Sequence, residues 1–451
     1  MEYTHHLQTL VQKQKNGIHE GICSVCSSSP FVIDAAITQA VRTGTPVLIE
    51  ATANQVNQMG GYTGMKPADF REYVLSRAAA LGLPAERLIL GGDHLGPVAW
   101  QKRDAAEAMD LAEELTYEFA KAGFSKIHLD ASMPLGSEIT LSTEEIADRT
   151  VRLCKASERG FAEYREEAVR AGAASDEVLA PVYVIGSEVP TPGGSGEEDA
   201  LSVTKPEALK EMLACFEEKF AAAGLDQAGQ ADVESPWSRI IAAVVQPGVE
   251  FGNDNVHEYV PEEATQLTEE AAEIPGIVLE GHSTDYQRES SLKQMVEDGI
   301  AILKVGPALT FAAREGLYAL AMMEDTLCAA GVLDAGEASD FIEVLDEVMR
   351  KDPSSWQGHY TAEEPESTLL RKYSYSDRSR YYMHRPEVKA AIEKLMENLH
   401  GKITLTMLSQ FMPQQYVHAR EGLLEPEPEA LVIDKTCDEL SRYWRACGLF
   451  E

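Results

Sequence analysis

Short apolar runs alternate with longer amphipathic stretches between residues 21 and 307. Eight runs stand out: Gly21–Cys26, Pro46–Thr52, Arg87–Gly92 leading straight into Asp93 and His94, Lys126–Ser132, Val182–Val189, Ile240–Gly248, Gly276–His282 and Ala301–Pro307. Each is apolar at nearly every position, as expected of a strand covered on both faces. The stretches between them carry helical patterns, as at Pro67–Leu81 and Ala105–Ala122. Strand and helix in alternation predict parallel strands joined by crossover helices. Eight such units predict an α/β fold, a closed (β/α)8 TIM barrel. An open doubly wound sheet is the alternative, because periodicity does not report closure. Near residue 333 the alternation stops, and helical patterns follow near 336–350, 386–399 and 429–446. The expected organisation is a catalytic barrel over 1–332 and a helical extension over 333–451 that packs on it.

A chain of 451 residues suits one large barrel with an appendage. Its 39 basic and 74 acidic residues leave a net charge of −35, and no basic patch interrupts the acidity. Nucleic acid is therefore excluded as a partner. A phosphorylated substrate would need local arginines or backbone amides to offset the field. Of the seven cysteines, Cys23 and Cys26 are the close pair. Redox chemistry asks for such a pair at a helix N-terminus, whereas residues three apart on a strand point to opposite faces. Buried structural thiols are the expectation. Met1–Ile18 is polar and charged rather than a signal peptide, and no apolar run is long enough for a membrane span. A cytoplasmic location without membrane contact is the default expectation.

Polar residues gather at the C-terminal ends of the predicted strands, where barrel enzymes place their chemistry. Asp93, His94 and His282 stand there, with Glu50, His128, Asp130, Glu188, Glu280 and Lys304 on or beside the same runs. His94, His257, His282 and Glu188 together suit a divalent metal, zinc foremost, with magnesium, manganese, nickel or cobalt as alternatives. Adjacent residues at a strand end diverge, so His94 can hold the metal while Asp93 faces substrate and moves a proton, with Glu188 as a second catalytic carboxylate. The metal would polarise a ketone oxygen, which suits aldol cleavage or proton transfer beside a carbonyl. Lys304 offers imine chemistry as a rival, or a phosphate contact. His128 and Asp130 share a strand face, as orienting partners or as core polar residues, and Glu50 carries the same ambiguity. The amide-rich loop 53–63 offers Asn54 and Asn57 to a substrate, and the Gly-Pro loop 190–204 is either a lid or solvated surface. Asp285, Arg378 and Arg380 complete the substrate-binding candidates. The last two lie in Tyr373–Tyr382, which suits an anion or a packed interface.

The runs GICSVCSSSP (21–30), LIEATANQVNQMGGYTGM (48–65), LILGGDHLGP (88–97), GFSKIHLDAS (123–132), IGSEVPTPGG (185–194), VVQPGVEFGN (244–253), HSTDYQ (282–287), ILKVGPALTFAARE (302–315) and YSYSDRSRYY (373–382) resemble the GatZ/KbaZ family. That family is the second subunit of bacterial D-tagatose-1,6-bisphosphate aldolase and looks like a distant relative of the class II zinc aldolase barrels. The resemblance implies that Asp93 is the proton-transfer group and His94 a metal ligand. It matches Glu188 with Gly193–Asp199 to the strand-five glutamate and its loop, and His282 and His257 to the two later histidine ligands. One departure is that Ser-Thr-Asp-Tyr follows His282 where class II aldolases carry a Gly-rich phosphate loop. Three readings follow: an aldolase subunit working with a catalytic partner subunit, a stand-alone metal-dependent 4-epimerase of a ketose or its 6-phosphate, and a non-catalytic stabilising subunit. A homo-oligomer is compatible with each.

Overall fold

The computed structural model describes residues 5–175, 177–187, 189, 202–229 and 233–450. Eight strands form the barrel: β1 Ile22–Cys26, β2 Val47–Thr52, β3 Leu88–Leu95, β4 Lys126–Leu129, β5 Val182–Ile185, β6 Ile240–Val245, β7 Val278–Gly281 and β8 Ile300–Val305. They pair in parallel, each with its sequence neighbours, and β1 pairs with β8 to close the ring. The open-sheet alternative is therefore excluded. All eight predicted runs became barrel strands. Three of them, β4 to β6, end several residues before the predicted run does.

Alternate side chains along each strand divide between two cores. Leu48, Ile89, Val182, Val184, Ile241 and Ile302 fill the barrel interior, while Val47, Ile49, Tyr183 and Ile185 pack outward against the helices. The interior is plugged at its N-terminal mouth by helix His6–Lys15, which sequence analysis did not anticipate. Its Leu7, Leu10 and Val11 fall on one face and join the interior core. The crossover helices Pro67–Leu81 and Ala105–Lys121 sit where predicted. A two-stranded hairpin, Glu250–Phe251 with Val256–His257, follows β6.

Helix Pro307–Ala329 follows β8, and the chain then continues through helices Phe341–Lys351, Glu366–Tyr373, Pro386–Leu399, Leu405–Phe411, Pro413–Arg420 and Pro428–Ala446. The first of these in the extension starts later than expected because Asp334 caps a separate turn at Ala335–Glu337. Helix Pro428–Ala446 lies against helices Pro30–Thr43, Glu289–Glu297 and Pro307–Ala329. The Tyr373–Tyr382 segment folds over the barrel mouth, where the Tyr375 amide donates to the Asn253 carbonyl at 2.8 Å and the Tyr286 hydroxyl to the Tyr375 carbonyl at 2.6 Å. No helix among the described residues is long and apolar enough to cross a membrane.

Candidate active site

The site begins with an irregularity in β3. Gly92 pairs with Ile127 but Leu95 pairs with Leu129, so one extra residue bulges out of the β3 ladder. His94 sits in that bulge with φ 47°, a left-handed conformation that costs a non-glycine residue energy and recurs at functional sites. The bulge corrects the expectation that Asp93 and His94 diverge. Both turn inward, and Asp93 Oδ2 lies 3.7 Å from His94 Nε2.

Three imidazoles converge above the barrel floor. The ring centroids of His94, His128 and His282 are 4.9 to 5.3 Å apart. Asp130 Oδ2 meets His94 Nδ1 at 2.7 Å, and Glu280 Oε1 meets His282 Nε2 at 3.0 Å. His128 Nδ1 lies 3.0 Å from Asp93 Oδ1 and 3.2 Å from the His94 amide. The remaining nitrogens, His94 Nε2, His128 Nε2 and His282 Nδ1, are buried without any hydrogen-bond partner. Buried polar atoms are rarely left so, and imidazoles steered by carboxylates are the usual arrangement around a bound cation. The donor set therefore fits a divalent metal. Ligand atoms of Asp93, His128, Glu280 and His282 all lie within 4.8 Å of one another, a group that does not include His94, and the Glu280 oxygens are already taken by Lys126 and His282. Burial pulls His94 below its ordinary pKa. It pulls His282 down to about 3, helped by the Lys304 charge. Both shifts favour the neutral imidazole, the form that binds a cation.

Charged groups surround the cluster. Lys126 bridges Glu50 and Glu280 at 2.8 Å each, all three fully buried, and Ser24 hydrogen-bonds Glu50. Gly91 makes this possible, since a Cβ there would lie 2.2 Å from Glu50 Oε1. Burial opposes ionisation of Asp93, but His94, Lys304 and the hydrogen bond from His128 outweigh it and hold the carboxyl well below the usual range. Lys304 pairs with Asp93 Oδ2, and the Cys26 thiol lies 3.4 Å from the same oxygen. Burial works against the Lys304 charge, yet Asp93 and Cys26 keep its pKa above the ordinary value. An ammonium group paired with Asp93 is not the free amine that imine formation needs. Cys23 packs outward and Cys26 inward, both as free thiols raised by burial, as the strand geometry required.

A cavity of about 800 Å³ rises from this floor, lined below by His94, His282 and Lys304 and above by Arg380 and Tyr381 of the extension. Asn54 and Asp285 line it, and Asp285 also accepts the Gly306 and Ala308 amides at 3.0 and 2.8 Å. Burial pushes the Asp285 carboxyl up to about 6. Ser283 and Tyr286 flank it in left-handed conformations, where glycine would be the ordinary choice.

Several expectations need correction. Asn57 does not face substrate: its carboxamide oxygen takes the Met59 and Gly61 amides and pins its own loop. Glu50 and Asp130 are buried partners of Lys126 and His94, outside the cavity wall. Arg378 is turned away, bonded to the Ser355 carbonyl at 2.7 Å with its guanidinium over the Tyr381 ring. His257 is exposed on the hairpin after β6, because the Pro247-Gly248 turn carries the chain away from the mouth. Glu188 and the Gly193–Asp199 run lie outside the described residues. His128 takes the place that sequence analysis gave His257; its alternation with Asp130 on β4, facing the Asp93-His94 strand end, was the available signal.

Fold and site together define a parallel β/α barrel with a buried histidine–carboxylate cluster at its C-terminal mouth. The chain belongs to the GatZ/KbaZ-like family, described as D-tagatose-1,6-bisphosphate aldolase subunit GatZ/KbaZ-like, whose model matches residues 7–448. A crystal structure from Sinorhizobium meliloti 1021, described as a probable tagatose 6 phosphate kinase, is 41% identical over 95% of this chain and 100% of that one, with a TM-score of 0.81. The YdjI aldolase from Escherichia coli K12 is 14% identical over 90% of this chain and 98% of that one, at a TM-score of 0.40. Fructose-bisphosphate aldolase from Campylobacter jejuni is 15% identical over 87% and 91%, at 0.42. Likeness that distant carries no argument about the site.

Proposed function

We propose that His94, His128 and His282 hold one divalent cation, zinc foremost, and that the chain performs retro-aldol and aldol chemistry between C3 and C4 of a tagatose-type ketose phosphate. The observation that carries this reading is the trio of buried imidazole nitrogens with no partner. When bound, the cation would polarise the ketone oxygen and offset charge developing there as the carbon–carbon bond breaks. A substrate hydroxyl that displaces the Lys304 ammonium from Asp93 Oδ2 can hand its proton to that oxygen, because Asp93 is held ionised. Lys304, lining the cavity, then has a substrate oxygen to bind. Asp130 and Glu280 fix which imidazole nitrogens face inward. The family description and that of the 41% identical relative both name tagatose phosphates, which supports the substrate class. The word subunit in the family description supports a catalytic aldolase partner.

A specific observation favours a second reading, the 4-epimerase. The chain's own extension closes over the mouth, with Arg380, Tyr381 and Met383 in the cavity wall. Fragments kept inside could recombine with C4 inverted. The test uses the purified full-length chain, alone and with a catalytic aldolase subunit, on tagatose 1,6-bisphosphate, tagatose 6-phosphate, fructose 6-phosphate and free tagatose. Triose phosphates support the aldolase reading and C4 epimers the epimerase. No bound metal and no turnover in any mixture overturns both and leaves the stabilising subunit. His128→Ala is expected to lose bound metal, measured by elemental analysis, while Asp93→Asn keeps it and loses turnover by about 100-fold or more.

A further inference from the structure

We propose that Tyr381 is a catalytic acid of this site, a phenol held over the cavity by the extension that protonates C3 after the C3–C4 bond breaks. This rests on the aldol reading above. Retro-aldol cleavage needs two proton movements on opposite sides of the substrate. The C4 hydroxyl gives its proton to Asp93 on the floor, and the C3–C4 bonding pair stays on the C3 side as an enediolate. That carbon then needs a proton from elsewhere, since Asp93 lies on the leaving-fragment side.

Tyr381 is placed to supply it. It ends the short helical turn Arg378–Tyr381 of the extension and lines the same cavity as His94, His282 and Lys304. Cys26, whose sulfur is 3.4 Å from Asp93 Oδ2, lines this cavity too. Its oxygen accepts from Arg380 Nη2 at 3.0 Å. Among the described residues no acceptor takes the phenol's own proton, which is left to the cavity. The guanidinium carbons of Arg380 and Arg378 sit 4.5 and 4.9 Å from the ring centroid. The ring is further fixed by Tyr62, edge-on at 5.2 Å.

The step balances within the chain. The phenol O–H bond breaks, its proton forms the new C3–H bond, and the electron pair remains on oxygen as phenolate beside two guanidinium charges. When products leave, the proton on Asp93 returns to the phenolate through water. The surroundings agree with this use. Burial disfavours a phenolate at Tyr381, but the Arg380 and Arg378 charges outweigh it and hold the phenol below its ordinary pKa. Its neighbours in the wall go the other way, with burial pushing Tyr62 up to about 12 and raising Tyr73.

The test is hydrogen–deuterium exchange at the hydroxymethyl carbon of dihydroxyacetone phosphate, and of dihydroxyacetone, followed by NMR in D2O with metal-loaded full-length protein. Wild type is expected to exchange, and Tyr381→Phe to exchange about 100-fold more slowly with unchanged metal content. Exchange at the wild-type rate in Tyr381→Phe overturns this proposal and leaves the aldol reading standing. No exchange in wild type with any divalent metal overturns both. Ultraviolet titration of tyrosinate in wild type is a second measurement, independent of the variant's folding. One phenol should ionise below the ordinary tyrosine range and move upward in Arg380→Gln; its absence overturns the acid role.

Discussion

Lys126, Glu50 and Glu280 are three charges sealed beneath the histidine cluster. Removing charges from water costs more than attraction returns unless every partner is present. Here burial would raise both carboxyls. The Lys126 charge brings Glu280 down to about 2, with the His282 hydrogen bond adding to it, while Glu50 stays above its ordinary value. Lys126→Met strands two carboxylates and is expected to cost about 3–5 kcal/mol, read as a shifted urea midpoint. Adding Glu50→Gln and Glu280→Gln should recover most of that loss. A single variant within about 1 kcal/mol of wild type would show that the triad is not held together as the distances imply. The same residues show where sequence reading stops. Asp93, His94, His282, Lys304 and Arg380 were legible as polar groups beside strand ends or in an arginine-hydroxyl segment. His128 was visible too, but its role depends on the β3 bulge, which no periodicity announces. His257 was misread because a histidine after a strand looks alike in sequence whether the chain stays at the mouth or turns out into a hairpin.

Among elements, the crossover helix Pro67–Leu81 could be located to the residue because proline opens it and Gly82, with φ 78°, closes it. Strand ends were less legible, since the predicted runs continue past the last ladder bond at β4, β5 and β6. Helix His6–Lys15 was hidden by its polar majority, although Leu7, Leu10 and Val11 keep helical spacing. His5 caps it by accepting the Leu7 amide at 3.1 Å. Burial lowers the His5 pKa to about 4, with the His6 charge adding to it. Between about pH 4 and 6.5 the unfolded chain therefore binds a proton that the folded chain refuses, so stability rises with pH across that window and the gain is complete above it. The full effect is about 3 kcal/mol, at about 1.4 kcal/mol per pH unit. His5→Asn keeps a capping side chain without the titration. Its stability, measured by denaturant from pH 4 to 7, should lose this share of the slope relative to wild type. Parallel curves for the two proteins would mean that the plug is already loose at neutral pH.

At the scale of the molecule, barrel and extension share a core. Leu431, Val432, Leu440, Tyr443 and Trp444 of the last helix belong to the same buried cluster as Val25, Val32 and Leu309 of the barrel. The Trp444 indole donates to Thr45 Oγ1 at 2.9 Å, the Tyr443 hydroxyl to the Thr284 carbonyl at 2.8 Å, and the Gly21 amide to the Cys447 carbonyl at 3.0 Å. Thr284 lies two residues after His282 on the loop that lines the cavity, so the last helix supports the site's own wall. Arg314, on the helix after β8, holds Asp377 at 2.8 Å and ties the Tyr373–Tyr382 roof to the barrel. If the two parts were independent, damage to the last helix would melt the extension and leave the barrel. Continuous packing predicts one cooperative transition instead. Trp444→Ala removes a side chain that is 1% exposed and is expected to cost about 3–5 kcal/mol. Far-ultraviolet circular dichroism and the emission of Trp237, which lies just before β6, should shift to a lower midpoint together in that variant, read in a background where Trp100 and Trp356 are replaced by phenylalanine. A Trp237 transition that stays in place while helical signal is lost would separate barrel from extension. It would also weaken any role for Tyr381, since the roof could then leave without disturbing the floor.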